Sequence, residues 1–188
     1  MNRRADHLLR RVSAVPAIVI QTERLVLRRL EPDDAKFILE LLNEPPFLRF
    51  IGDKGVRNLD GARAYILKGP VDSYERHGFG LYAACLRDGT SIGICGLVKR
   101  DGLADADVGF AFLARYRSKG YAVESAAAVL MHARQALHLG RIVAITAPDN
   151  HGSIAVLGKI GLKFERTIRL APDAEELSLF ASDAVDPP

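Results

Sequence analysis

Apolar residues fall into short runs whose spacing changes along the chain, and each change marks an element. Leu25, Leu27 and Leu30 sit among charged residues over 22–30, which predicts a half-buried first strand. Glu31-Pro32-Asp33-Asp34 then opens a helix, with proline early and acids in the first turn. Phe37, Ile38, Leu41 and Leu42 form its apolar stripe, and Pro45-Pro46 should end it. A second helical region runs from 58 to 76, split or kinked at Pro70 and closed by His77-Gly78.

Period-two and continuous apolar runs follow at 79–86, 91–99 and 106–113. Arg87-Asp88-Gly89-Thr90 and Arg100-Asp101-Gly102 separate them, so an antiparallel meander of three strands is expected. Val123, Ala126, Ala127, Leu130, Ala133 and Leu137 recur at helical spacing over 122–139, with Gly140 as the stop. The alanines would let this helix lie close on a sheet. Residues 142–147 read as a central strand and 153–160 as a short helix ended by Gly161. Residues 162–168 and 176–181 read as a closing hairpin. One α+β domain over 18–181 accounts for the pattern, between a basic flexible extension at 1–17 and a tail at 182–188.

Composition changes this picture little. The chain has 188 residues, 48% hydrophobic and 26% charged, which suits one domain with its own core. No apolar run reaches the roughly 20 residues of a membrane span. Residues 14–20 are apolar behind four arginines, but they contain Pro16 and lack a small-residue cleavage site, so a leader is not expected. A net charge of +3 is compatible with an anionic ligand, and no aromatic-and-basic array suggests nucleic acid. With an Asp88-Gly89 turn, Cys85 would face Ile92 and Cys95 would face Tyr82, on opposite sheet faces. That forbids a disulfide and offers no metal site; a reducing cytoplasm is the expected setting.

The chemistry concentrates in residues 108–124, where a strand feeds a short basic loop that opens directly into the alanine-rich helix. Helix N-termini carry unpaired N–H groups and the positive end of the dipole, so such a loop can cradle phosphate. Gly120, without a Cβ, would let a ligand approach the backbone, and Arg117 and Lys119 add charge. Taken alone, Gly120 reads equally as a tight turn among solvated charges. Neither G-x-x-x-x-G-K-[ST] nor G-x-G-x-x-G after a first strand is present.

Arg117-Ser118-Lys119-Gly120-Tyr121-Ala122 resembles the [Q/R]-x-x-G-x-[G/A] signature of the GNAT superfamily of N-acyltransferases. Thr22-Glu23-Arg24-Leu25, Asp107-Val108-Gly109-Phe110, Asn150-His151-Gly152-Ser153-Ile154 and the segment from Val156 to Leu162 resemble landmarks of its ribosomal-protein alanine and serine N-acetyltransferase branch. The resemblance implies a mixed, mostly antiparallel sheet of six to seven strands flanked by about four helices. It implies an acetyltransferase that takes acetyl-CoA (coenzyme A) and no metal. Phe110, Phe112 and Leu113 would pair with the pantetheine arm, the amides of Arg117, Ser118, Lys119, Gly120, Tyr121 and Ala122 would hold the pyrophosphate, and Asn150 would contact pantetheine. Ser153 would protonate the departing thiolate. Asp107, where relatives often carry Glu, would accept the amine's proton through water rather than directly.

Plainer roles stand beside these. Asn150 and Ser153 suit helix capping, Asp107 suits a solvated strand start, and Glu124 suits the helix dipole. No tyrosine follows Tyr121, so a late tyrosine acid is absent. His132 and His138 read as surface or packing residues. The acceptor would be a primary amine, on a peptide N-terminus or a small molecule, with no nucleic acid or membrane partner and a homodimer possible. Residues 47–57 and 58–76 should line the acceptor side, with Phe47, Phe50 and Tyr74 as pocket or core. The alternative is a non-catalytic acyl-CoA-binding regulator with the same fold.

Overall fold

The structure, a computed structural model, describes residues 17–183. The N-terminal extension up to residue 16 and the tail from 184 onward lie outside the described residues. Among the described residues eight strands form one sheet: β1 (Ile18–Gln21), β2 (Leu25–Arg29), β3 (Leu81–Leu86), β4 (Ser91–Val98), β5 (Ala106–Phe112), β6 (Ile142–Thr146), β7 (Lys163–Ile168) and β8 (Leu177–Ala181). Their order is β1-β2-β3-β4-β5-β6-β8-β7, and only the β5–β6 pair is parallel. The sheet exceeds the expected six to seven strands because the apolar residues after Pro16 form β1 and fold back on β2. The meander and the closing hairpin lie where the sequence pattern puts them.

Among the described residues six α-helices flank the sheet rather than about four: α1 (Ala35–Leu42), α2 (Pro45–Phe50), α3 (Leu59–Ile66), α4 (Asp72–His77), α5 (Tyr121–Gln135) and α6 (His151–Lys159). Pro45 and Pro46 follow the end of α1 but also open α2, where first-turn positions need no N–H partner. A π-helical turn, Leu67–Val71, carries Pro70 between α3 and α4, which is the kink that proline predicts. No helix among the described residues is long and apolar enough to cross a membrane.

Helices α5 and α6 cover one sheet face, whose core includes Leu25, Leu27, Cys95, Leu97, Ala126, Val129 and Leu157. Helices α1 and α3 cover the other, around Ile38, Leu41, Phe47, Ile66, Cys85 and Leu113. The two free, buried cysteines therefore sit in different cores, and burial pushes the Cys95 thiol up to about 12. Tyr82 faces Cys95 as expected, but Cys85 faces Ser91 instead of Ile92. A bulge beside Ala84 inserts one residue, which turns Ile92 to the α5 face while Ile94 stays on the opposite one.

Helix α5 also departs from its expected bounds. It ends at Gln135 because the chain turns left-handed at His138 (φ 53°), before Gly140, bringing Leu137 and Leu139 back against the core. Its buried face carries Ser125, Ala126, Val129, Leu130 and Ala133, and Ala127, expected on that face, is exposed.

Candidate functional site

Strands β5 and β6 pair only at Ala106↔Ile142 and Asp107↔Val143. Beyond that point they part, and a cavity of about 880 Å³ opens between them, reaching the mouths of α5 and α6 and, across the sheet, α2 and Tyr65. Leu113 donates its N–H to the Ile92 carbonyl at 3.0 Å. By antiparallel alternation, Ala111 and Gly109 also turn their main-chain groups toward β4, and Phe110 and Phe112 turn theirs toward the gap. Leu113 is thus corrected: fully buried and bonded to β4, it has no free donor for a ligand strand.

The loop into α5 is shaped for an anion. Ser118 (φ 58°) and Gly120 (φ 84°) both adopt left-handed backbone, which reverses the chain within three residues. The N–H groups of Ser118, Lys119, Gly120, Tyr121, Ala122 and Val123 meet no acceptor among the described residues. They stand at the positive end of a 15-residue helix. Arg117 differs from the others: its N–H goes to the Ala114 carbonyl at 3.2 Å, so that amide is not free. Its guanidinium reaches back to the Phe112 carbonyl (2.8 Å) and to Glu44 (3.4 Å). The Lys119 side chain is exposed and away from the cavity, near the Tyr116 ring.

Two carboxylates hold this loop from outside. Glu44, at the start of α2, accepts the Ala114 N–H at 2.9 Å. Glu124, in the first turn of α5, accepts from the Thr22 hydroxyl (2.6 Å), the Arg24 N–H (2.9 Å) and the Arg24 Nε (2.6 Å). Arg24 also donates to the Lys119 carbonyl at 3.0 Å and lies over the Tyr121 ring. The sequence marked Glu124 as structural, and its partners confirm a tie between the β1–β2 turn and the loop.

On the α6 side, Asn150 caps the helix by accepting the Ser153 N–H at 3.1 Å. Ser153 is half-buried and lines the cavity with its hydroxyl uninvolved in the cap. Asp107 is 1% exposed, which overturns the reading of a solvated strand start. One oxygen binds Arg100 and the other accepts the Ile145 N–H of β6 at 3.3 Å. Burial raises its carboxyl above the usual 3.8, with Arg100 pulling the other way.

Across the sheet, Phe47, Phe50, Lys54, Tyr65 and Arg100 line the cavity. Phe47 and Phe50 were named from the sequence, but Tyr74 is core: it stacks on Tyr82, accepts the Leu30 N–H and donates to the Leu81 carbonyl. Lys54, Tyr65 and Arg100 were not named individually. Arg100 carried one signal, a cation in the turn just before the strand bearing Asp107, whereas Lys54 and Tyr65 lie in the segments expected on the acceptor side but had nothing to single them out. Burial raises the Tyr65 pKa, and partial desolvation of the ammonium lowers that of Lys54 although the residue itself is exposed. Of the residues expected to act, Asp107, Phe110, Phe112, Arg117, Ser118, Gly120, Tyr121, Ala122, Asn150 and Ser153 all line this one cavity, and Leu113 and Lys119 do not.

Comparison with known proteins gives the same picture. The family model described as an acetyltransferase (GNAT) domain matches residues 24–163. An uncharacterized N-acetyltransferase of Bacillus subtilis, YnaD, is 31% identical over 147 residues, which is 78% of this chain and 83% of that protein. Among solved structures, a GNAT-family acetyltransferase from Bacillus anthracis superposes with a TM-score of 0.71 at 25% identity, covering 86% of this chain and 96% of its own. A ribosomal L7/L12 alpha-N-protein acetyltransferase, RimL, solved in complex with coenzyme A, shares the fold with a TM-score of 0.77 at 18% identity, over 91% of this chain and 99% of its own.

Proposed function

Because the chain belongs to the acetyltransferase (GNAT) family, we propose that it moves an acetyl group from acetyl-CoA directly to a primary amine. The amine is carried by a peptide or protein N-terminus or by a small molecule; RimL among the structural neighbours supports the former. One observation carries this reading. The N–H groups of Ser118, Gly120, Tyr121, Ala122 and Val123, which meet no acceptor among the described residues, share a single cavity with the free edge of β5.

Bound acetyl-CoA supplies an activated acyl carbonyl and a thiolate leaving group. The amides of the loop, with the α5 dipole, hold the pyrophosphate. The main-chain groups of Phe110 and Phe112 pair with the pantetheine arm as an added strand would, and Asn150 flanks it. A main-chain N–H of β5 facing the gap steadies the charge that develops on the carbonyl oxygen. The amine nitrogen forms the new C–N bond while the C–S bond breaks. The amine's proton passes through water to Asp107, whose raised pKa makes it a stronger base than a solvated aspartate. Each of its oxygens keeps a lone pair beyond those given to Arg100 and Ile145. Ser153 gives its proton to the departing sulfur and regains one from solvent.

Titration of the purified chain with CoA, and thiol release from acetyl-CoA with an amine panel, test this directly. Saturable heat and amine-dependent thiol are expected. Neither with any amine would remove the proposal.

A further inference from the structure

The part of the cavity lined by α2, Lys54, Tyr65 and Arg100 carries an unbalanced positive charge. Two acids line the whole cavity, Asp107 and Asp149. Each is already engaged, Asp107 by Arg100 and Asp149 by Arg49 at 2.9 Å. Lys54 lines the same space and, among the described residues, has only a long contact, 3.4 Å, to the Ile51 carbonyl. Arg100 lies close enough to Lys54 and Tyr65 for its charge to act on both. Lys54 and Arg100 both face this space, and the carboxylate of Asp107 is bonded to Arg100 and not to Lys54.

Such an arrangement disfavours an acceptor with additional positive charge and favours one with a negative group. The remaining wall of this part is apolar and aromatic: Phe47, Phe50, Ile51 and Tyr65. We propose that Lys54 and Arg100 form an anion subsite that holds a carboxylate of the acceptor, with the aromatic wall receiving an apolar side chain. The substrate class is then an amine with a carboxylate nearby. The carboxylate comes either from a free amino acid or from an acidic residue behind a peptide N-terminus, and polyamines are excluded. The inference rests on the acetyl-transfer reading above and adds the chemistry of its acceptor.

Matched acceptors test it, with thiol release from acetyl-CoA as the readout. L-phenylalanine is compared with phenethylamine, which lacks the carboxylate, and a peptide beginning serine-aspartate with one beginning serine-asparagine. The carboxylate member of at least one pair should have the higher kcat/KM by about tenfold or more, and the pair that responds identifies the source. Lys54→Glu lies on an exposed loop, so the fold should survive, and the preference within that pair should reverse. Preference for the uncharged member or for spermidine, turnover of neither pair, or a ratio unmoved by Lys54→Glu would each overturn the inference. CoA titration on the same preparation shows whether the acetyl-transfer reading falls with it.

Discussion

Arg24 and Glu124, a hundred residues apart, are joined three ways: through the Arg24 N–H, its Nε and a 2.6 Å ion pair. Arg24 also grips the Lys119 carbonyl, so the turn after β1 sets the shape of the loop that offers its amides to the cavity. The pair lies outside the cavity and acts on it through the backbone.

Arg24→Ala should therefore separate ligand affinity from stability. Its side chain is 45% exposed, so the ion pair itself contributes no more than about 1 kcal/mol to folding. Loosening the loop should weaken CoA by about tenfold, read by calorimetry, with a small change in Tm.

The same carboxylate predicts an acid response. Burial alone would raise the Glu124 pKa, but hydrogen bonds from Thr22 and Arg24 and the Arg24 charge outweigh it and hold it below 4.5. A depressed carboxyl stabilises the fold above its unfolded value, and that contribution fades as pH falls through the lower folded value. The Tm difference between wild type and Glu124→Gln should be constant near about pH 6 and shrink toward about pH 3.

Gly120→Ala tests the loop itself. At φ 84° a Cβ costs about 1–2 kcal/mol, and it would sit 3.2 Å from the Arg24 Nη2. Thermal unfolding should show a modest loss, whereas CoA affinity should fall much further, because the amides on either side are redirected.

Asn150 and Ser153 adjoin in space but should fail differently. Asn150→Ala removes a helix cap worth about 1 kcal/mol and should lower Tm. Ser153→Ala leaves the cap intact and should lower kcat by about a hundredfold at unchanged Tm, if its proton reaches the sulfur.

Asp107→Asn keeps an oxygen for the Ile145 N–H but cannot accept a proton. Activity in the wild type should be lost as pH falls through the raised Asp107 value, and the variant should lose that limb of the kcat/KM profile together with about a hundredfold in rate. An unchanged profile would reduce Asp107 to a tie between strands.

Much of the scaffold was legible because it follows from local patterning. The meander, α6 and the loop into α5 each have a periodicity or a motif of their own. The bulge beside Ala84 has none, since an inserted residue changes facing without changing residue types. The error at Leu113 has the same origin: which edge of a strand a peptide group faces is a matter of register. Glu124 was legible as an acid in a first turn, but Arg24, its partner, is fixed only by the closing of the sheet. Lys54 and Arg100 come from two separate loops, and although Arg100 precedes the strand of Asp107, nothing local shows that the two share one space.

The parting of β5 and β6 also divides the molecule mechanically. With two residue pairs joining them, β1–β5 and β6–β8–β7 are two plates on a narrow weld, α5 packed on the first, α6 on the second, and the two helices against each other. A ligand seated in the gap would brace one plate against the other, and amide protons of β6 and β8 would then exchange more slowly than in the empty protein.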